Sequence, residues 1–158
     1  MDPEGRILLE HFIEEMALIF ESEGLPRMYG RVIGLLLVCD PPRQSSGELA
    51  EALQASRGAI SQATRALMQI GLIQRVPVPG TRAMYFELHP AGLDHVLRSA
   101  IPRLRIAREL ADRGLAVMAD EPAERRERLQ AFRDVYAFME SEYPKLLERW
   151  DEVRKESR

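Results

Sequence analysis

Apolar side chains recur every three or four positions over residues 6–23. Leu8, Phe12, Met16, Ile19 and Phe20 share one side, and Glu10, Glu14, Glu15 and Glu21 lie elsewhere. That period predicts an amphipathic helix, closed by Gly24 and Pro26. A second helix is expected over about 27–39, and its stretch Val32-Ile-Gly-Leu-Leu-Leu-Val-Cys39 is apolar throughout, which makes it central to a core. Asp40-Pro-Pro-Arg-Gln reads as a loop. Ser46 then suits the N-cap of a short helix over 47–54, with Leu49, Ala50 and Leu53 inward. After a tight turn at Gln54-Ala55, Ser56 can cap a longer helix that stops at Gly71.

The longer helix has two contrasting faces. Ile60, Ala63, Leu67 and Ile70 fall at i, i+3, i+7 and i+10 and form a stripe for burial. Arg57, Ser61, Gln62, Arg65 and Gln69 project from the opposite side, and Gly58 leaves the helix start bare. Two strands follow, over Ile73–Val76 and over 83–88, joined by the stiff hairpin tip Pro77-Val-Pro-Gly-Thr-Arg82. Helix resumes near Pro90 and continues to about 118, with a kink expected at Pro102.

The last helical stretch runs from about 122 to 154. Leu129, Phe132, Tyr136, Met139, Tyr143, Leu146, Trp150 and Val153 are spaced alternately by three and four residues, a heptad seam. Pro144 interrupts it, and Ser141 could cap a new helix there, so a break or kink is expected. The seam suits either an intramolecular core stripe or a dimer interface. A chain of 158 residues has little else to cover so long an aromatic seam, which favours the dimer.

Composition narrows the class. An apolar fraction of 46% with 30% charged residues describes a folded globular chain. The acidic N-terminus does not resemble a signal peptide, and the longest apolar run is far short of the ~20 residues that span a bilayer. No membrane partner is expected, and the lone cysteine fits a reducing cytoplasm.

The net charge of −3 conceals a division. Residues 1–26 are strongly acidic, residues 27–86 are basic, and from Ala52 through Phe86 there is no Asp or Glu. An ordinary solvated helix mixes both signs. An acid-free face beside an apolar stripe points to an anionic partner.

The short helix at 47–54, the tight turn and the longer helix form a helix-turn-helix pair, in which small Ala50 lets the second helix cross closely. Such a second helix enters the DNA major groove with its N-terminal residues at the base edges. The residue types suit that position: Arg bonds guanine, Gln pairs with adenine, Ser reaches bases or phosphates, and carboxylates would be repelled. Arg82 at the hairpin tip is placed to enter a minor groove, and Arg75 at the hairpin base to contact phosphate. The competing reading of each is a surface charge without a partner, and it is weaker for Arg82 than for Arg75.

Four motifs carry a likeness to a known family: Gly30-Arg-Val-Ile-Gly-Leu-Leu-Leu, Glu48-Leu-Ala-Glu-Ala-Leu, Ser56-Arg-Gly-Ala-Ile-Ser and Pro79-Gly-Thr-Arg-Ala-Met-Tyr-Phe. Together they resemble the MarR-like winged helix-turn-helix regulators, particularly the GbsR-like branch, over about residues 24–98. The resemblance implies a mainly α fold with a small β-hairpin wing, the winged helix-turn-helix core being flanked by N- and C-terminal dimerisation helices. The expected segments are residues 1–26 for dimerisation, 27–89 for DNA binding and 90–158 for dimerisation. It implies a homodimeric regulator of transcription, and repression would follow from its occupying a promoter. Double-stranded operator DNA would be held by Ser56, Arg57, Gly58, Ser61, Gln62, Arg65, Arg75, Thr81 and Arg82. Two departures stand out: Gln54 occupies a turn position where Gly is frequent, and Thr81 a position where an acid commonly precedes the wing Arg.

Members of such families respond to small-molecule effectors between the dimerisation helices and the DNA-binding domain. Tyr29, Phe132, Tyr136 and Trp150 are the aromatic candidates here, although aromatics at helical spacing are more often core than pocket. Cys39 follows an apolar run and precedes an acid, a setting for a buried thiol, not a thiolate sensor. His11, His89 and His95 have no metal-ligand spacing, and His89 before Pro90 suits a turn or cap. Arg98, Arg103, Arg105, Arg108 and Arg113 read as solvated or salt-bridged surface. No nucleophile–base pair, phosphate loop or metal cluster offers a reaction, so neither an enzyme nor a cofactor is expected. The competing reading is a winged-helix interaction module whose Arg face docks an acidic protein.

Overall fold

The computed structural model describes residues 2–156 and divides the chain into two compact units, one ending at His95 and the other beginning at Val96. The first holds α1 (Pro3–Ser22), α2 (Arg27–Val38), β1 (Gln44–Ser45), α3 (Ser46–Ala52), α4 (Arg57–Gln69), β2 (Ile73–Val76), β3 (Tyr85–Leu88) and the start of α5 (Gly92–Arg98). The second holds α6 (Ala100–Val117) and α7 (Ala123–Glu156). The expected class, mainly helical with a small hairpin, is what the chain adopts.

Helix α2 packs against α1 through missing side chains. A Cβ added to Gly30 would lie 2.7 Å from the Cα of Ala17 and closer still to the Met16 carbonyl; one added to Gly34 would lie 3.1 Å from the Cα of Ile13. Ala17 is fully buried at this crossing. Arg27 and Arg31 then reach Glu14 across the seam, at 3.2 and 2.7 Å, and Arg27 also meets Glu21 at 3.6 Å.

The α3–α4 pair forms beneath α2. Ser45, one residue earlier than the expected cap Ser46, starts α3. Its hydroxyl accepts from the Glu48 amide at 3.2 Å while the Glu48 carboxylate accepts from the Ser45 amide at 2.6 Å. A capping box needs an acid three residues on, and that residue is Glu48 for Ser45 but Leu49 for Ser46. These bonds, first the one from the Ser45 backbone, hold the Glu48 carboxyl below its ordinary range. At the turn, Gln54 adopts φ 48°, the left-handed conformation that favours Gly. The Ala55 amide closes the turn on the Ala50 carbonyl at 2.9 Å.

Helix α4 ends as the sequence requires. Gly71 takes φ 79°, and its amide bonds the Met68 carbonyl at 3.0 Å while the Leu72 amide bonds Leu67 at 2.9 Å. This is the paired pattern of a Schellman stop. Strands β2 and β3 pair antiparallel, with Arg75 opposite Phe86, and β1 adds to the other edge of β3 through Gln44–Phe86 and Ser45–Tyr85. The two-residue β1 is too short to leave a periodic signal. Val32, Leu36, Leu49, Leu53, Ile60, Leu67, Ile73 and Phe86 join these elements in one core.

In the second unit the expected helix over 90–118 is divided at Ser99, not kinked at Pro102, which sits in the first turn of α6 where its missing N–H is harmless. Pairings of Arg98 with Asp151, Arg108 with Glu140 and Arg133 with Asp112 climb one side while descending the other, so α7 runs back along α6. The break considered at Pro144 does not occur: α7 is one helix of 34 residues through it. Proline removes the donor for the Glu140 carbonyl, and the helical partners on both sides maintain the turn. Among the described residues, only Ala111 and Leu147 are buried hydrophobics in this unit.

Two stability measurements check these packing arguments. Gly30→Ala forces backbone apart at the α1–α2 crossing and should lower unfolding free energy by about 3 kcal/mol in a urea titration. Gln54→Gly relieves the left-handed backbone and should raise it by about 1 kcal/mol, read as a higher urea midpoint at constant slope.

Candidate nucleic-acid interface

Helix α4 is rotated by its core residues. Ile60, Ala63 and Leu67 are fully buried, and Thr64 beside them satisfies its hydroxyl by donating to the Ile60 carbonyl at 2.8 Å. With that side inward, Arg57, Gly58, Ser61, Gln62, Arg65 and Gln69 are exposed. Ser56 is the N-cap, its hydroxyl accepting from the Ala59 amide at 3.1 Å. Ile70, expected in the buried stripe, is instead the exposed C-cap, because the helix stops before completing that turn.

Four of the expected site residues converge. Gly58, Ser61, Gln62 and Arg65 line one open concavity of about 490 Å³ with Tyr29, Ala66 and Gln69. A Cβ at Gly58 would meet nothing nearer than the Ser56 hydroxyl at 3.8 Å, so the helix start is open to a close-approaching surface. Arg57 lies outside that lining, as do Arg75, Thr81 and Arg82. Arg75 is exposed on β2, and Thr81 and Arg82 are exposed in the loop between β2 and β3.

Charge is distributed unevenly within the first unit. Arg27 and Arg31 are matched to glutamates, whereas among the described residues no ion pair engages Arg57, Arg65, Arg75 or Arg82. Unpaired guanidiniums on an acid-free surface keep their full attraction for an external anion. In the loop, Gly80 takes φ 84° and the Thr81 hydroxyl accepts from the Ala83 amide at 3.0 Å. That bond bends the chain around Arg82, a positioning role that needs no acid at residue 81.

The candidate effector residues fall in separate places. Tyr29 lines the α4 concavity. Phe132 and Tyr136 stack on each other one turn apart on α7, centroids 4.5 Å apart and planes tilted by 39°. Trp150 lines a shallow groove of about 390 Å³ with Leu97, Tyr143, Leu146, Leu147 and Val153. The sequence did not reveal that Tyr29 stands beside α4, since no local pattern shows which helix lies beside α2.

The remaining polar residues serve the fold. Cys39 is half-buried, and burial pushes its thiol above the ordinary value, against thiolate formation. His89 caps the turn before α5, its Nδ1 accepting from the Ala91 amide at 3.1 Å. Arg98 and Arg108 are salt-bridged to α7, and Asp112 is held below the usual carboxylate range first by Arg133 and then by Arg108. Among the described residues no cluster of metal-ligating side chains occurs, and no helix is long and apolar enough to cross a membrane.

Comparison with known proteins gives the same direction. Residues 92–154 match a family model described as MmpR5-like MarR family transcriptional regulator. The chain is 47% identical over 130 residues to the HTH-type transcriptional regulator MmpR5 of Mycobacterium tuberculosis, covering 82% of this chain and 79% of that protein. It is 30% identical over 79 residues to the putative HTH-type transcriptional regulator YvaV of Bacillus subtilis, covering 50% of this chain and 44% of that one. A crystal structure of a transcriptional regulator, 44% identical, superposes with a TM-score of 0.74 over 91% of this chain and 98% of its own.

The open start of α4 yields a structural prediction. Gly58→Ala should fold with an unchanged or slightly higher thermal midpoint, because its added methyl meets only the Ser56 hydroxyl at 3.8 Å. A midpoint lowered by several degrees would show that the space is not free.

Proposed function

The chain belongs to the MarR family of transcriptional regulators, and from that premise we propose that it represses transcription as a homodimer bound to operator DNA. It is a regulator and not an enzyme, as its relatives are. The observation that carries the DNA reading is the exposed α4 face, where Arg57 and Arg65 stand without acids beside Ser61 and Gln62. Phosphate attracts the arginines, and bidentate Arg and Gln contacts discriminate bases. Ser56 and Gly58 allow the helix start to approach, while Arg75, Thr81 and Arg82 place the hairpin against the flanking backbone or minor groove.

The dimer is supported by the sparse core of the second unit. Phe132, Phe138, Leu146, Trp150 and Val153 of α7 remain exposed, and a second copy of the helices would cover them. The segments 1–26 and 90–158 would supply that contact and 27–89 the DNA contact. Two α4 helices would then enter successive major grooves, with half-sites one helical turn apart, ~34 Å. A small-molecule effector in the groove around Trp150 would release DNA by favouring a dimer with a different α4 separation. The GbsR-like affiliation rests on motif likeness, whereas the matched model is described as MmpR5-like; the function proposed requires only the MarR-level kinship.

Fluorescence anisotropy over a salt series tests the DNA reading, using the duplex upstream of the chain's own gene against a random duplex. Tight, salt-sensitive binding that prefers the upstream duplex is expected. Arg65→Ala should cost ~1–3 kcal/mol on the upstream duplex and reduce that preference. Absence of binding to both duplexes at low salt would overturn the DNA reading and favour an acidic protein partner for the Arg face.

A further inference from the structure

One residue lining the α4 concavity comes from outside the helix-turn-helix pair. Tyr29 is the third residue of α2, half-buried, and faces the space bordered by Gly58, Ser61, Gln62, Arg65, Ala66 and Gln69. Its backbone is held firmly. The Tyr29 amide bonds the Pro26 carbonyl at 2.9 Å, and the next residue, Gly30, is pressed against the α1 backbone. Its ring is therefore carried on a helix that cannot shift without opening the α1–α2 crossing.

The hydroxyl has no hydrogen-bond partner within the protein among the described residues. A half-buried tyrosine normally keeps its ring in apolar contact and its hydroxyl with a polar partner or water. The cations nearest in sequence are already engaged, since Arg27 and Arg31 both pair with Glu14. Tyr29 thus presents a neutral donor at the side of the reading helix. A helix in the major groove, ~12 Å wide, is flanked by sugar–phosphate walls, so groups on neighbouring elements meet phosphates before bases.

We infer that Tyr29 donates its phenolic hydroxyl to a phosphate oxygen of the DNA strand bordering the groove that α4 occupies. The inference rests on the DNA reading of α4. It assigns Tyr29 to DNA and removes it from the effector candidates. Gly58 and Ala66 leave room in the concavity for the phosphate backbone to approach. Because phenol is neutral, its bond adds affinity without releasing a counterion, unlike a contact from Arg or Lys.

The test compares full-length Tyr29→Phe and Arg65→Ala proteins by anisotropy on the upstream and random duplexes across a salt series. Tyr29→Phe should bind about tenfold more weakly to both duplexes, because the lost hydrogen bond goes to a charged group. Its slope of log K against log salt should match the parent's, and its thermal midpoint should be unchanged. Affinity within about twofold of the parent on both duplexes, with Arg65→Ala impaired, would overturn the Tyr29 assignment alone. A loss confined to the upstream duplex would make Tyr29 a base reader, and a lower thermal midpoint would tie its hydroxyl to folding; either overturns the phosphate contact. If Arg65→Ala also leaves binding unchanged, the DNA reading of α4 fails with it.

Discussion

Burial of Ile60, Ala63 and Leu67 sets the rotation of α4 about its axis, and the exposed face with Arg57 and Arg65 depends on that rotation. Each residue advances the helix by about 100°. A slip of one position in one direction would turn Arg65 toward the core, and in the other would turn Gln62 inward. The core resists it on several sides: Val32 and Leu36 from α2, Leu49 from α3 and Leu53 capping its end, and Ile73 and Phe86 from the sheet. Thr64 would otherwise be a buried hydroxyl in this stripe, and its bond to the Ile60 carbonyl removes that cost.

The same residue type is used in two ways on either side of this core. Arg27 and Arg31 tie α2 to α1 by meeting Glu14 and, for Arg27, Glu21. These exposed or half-exposed pairs add modest stability and chiefly fix the register of a crossing already set by Gly30 and Gly34. Among the described residues Arg57 and Arg65 have no such partner, and the chain carries no acid between Ala52 and Phe86. Their attraction is left for a ligand. The acidity of the N-terminal segment and the basicity of the middle are thus complementary: the acids restrain the supporting arginines and leave the α4 arginines alone.

The helical pair α6–α7 has a different balance. Its polar registry is well specified, with Arg108 joined to Asp112 and Glu140 and Arg133 joined to Asp112. Its apolar burial is sparse, and Val135, Phe138 and Trp150 stay exposed. Salt bridges between solvated side chains cannot replace a hydrophobic core. The missing apolar cover is the physical reason for the proposed association of these helices with a second copy.

Local chemistry made most of the winged unit legible from the chain itself. The alternation of apolar and polar residues, Ser56 as a cap, Gly71 as a stop and the Pro- and Gly-containing hairpin tip act over a few neighbouring residues, and each element formed where those signals stood. The capping box at Ser45 is equally local, since Glu48 stands three residues on, whereas Ser46 offers the same hydroxyl without an acid at that spacing. Other features needed the third dimension. Strand β1 exists because β3 offers an edge, and α7 continues through Pro144 because the turns on both sides have helical partners. Tyr29 lies beside the exposed face of α4 because α2 packs on α4, a contact between residues about thirty positions apart in the chain. Sequence determined which surfaces were apolar, capped or free of acid; only tertiary packing decided which of those surfaces would face one another.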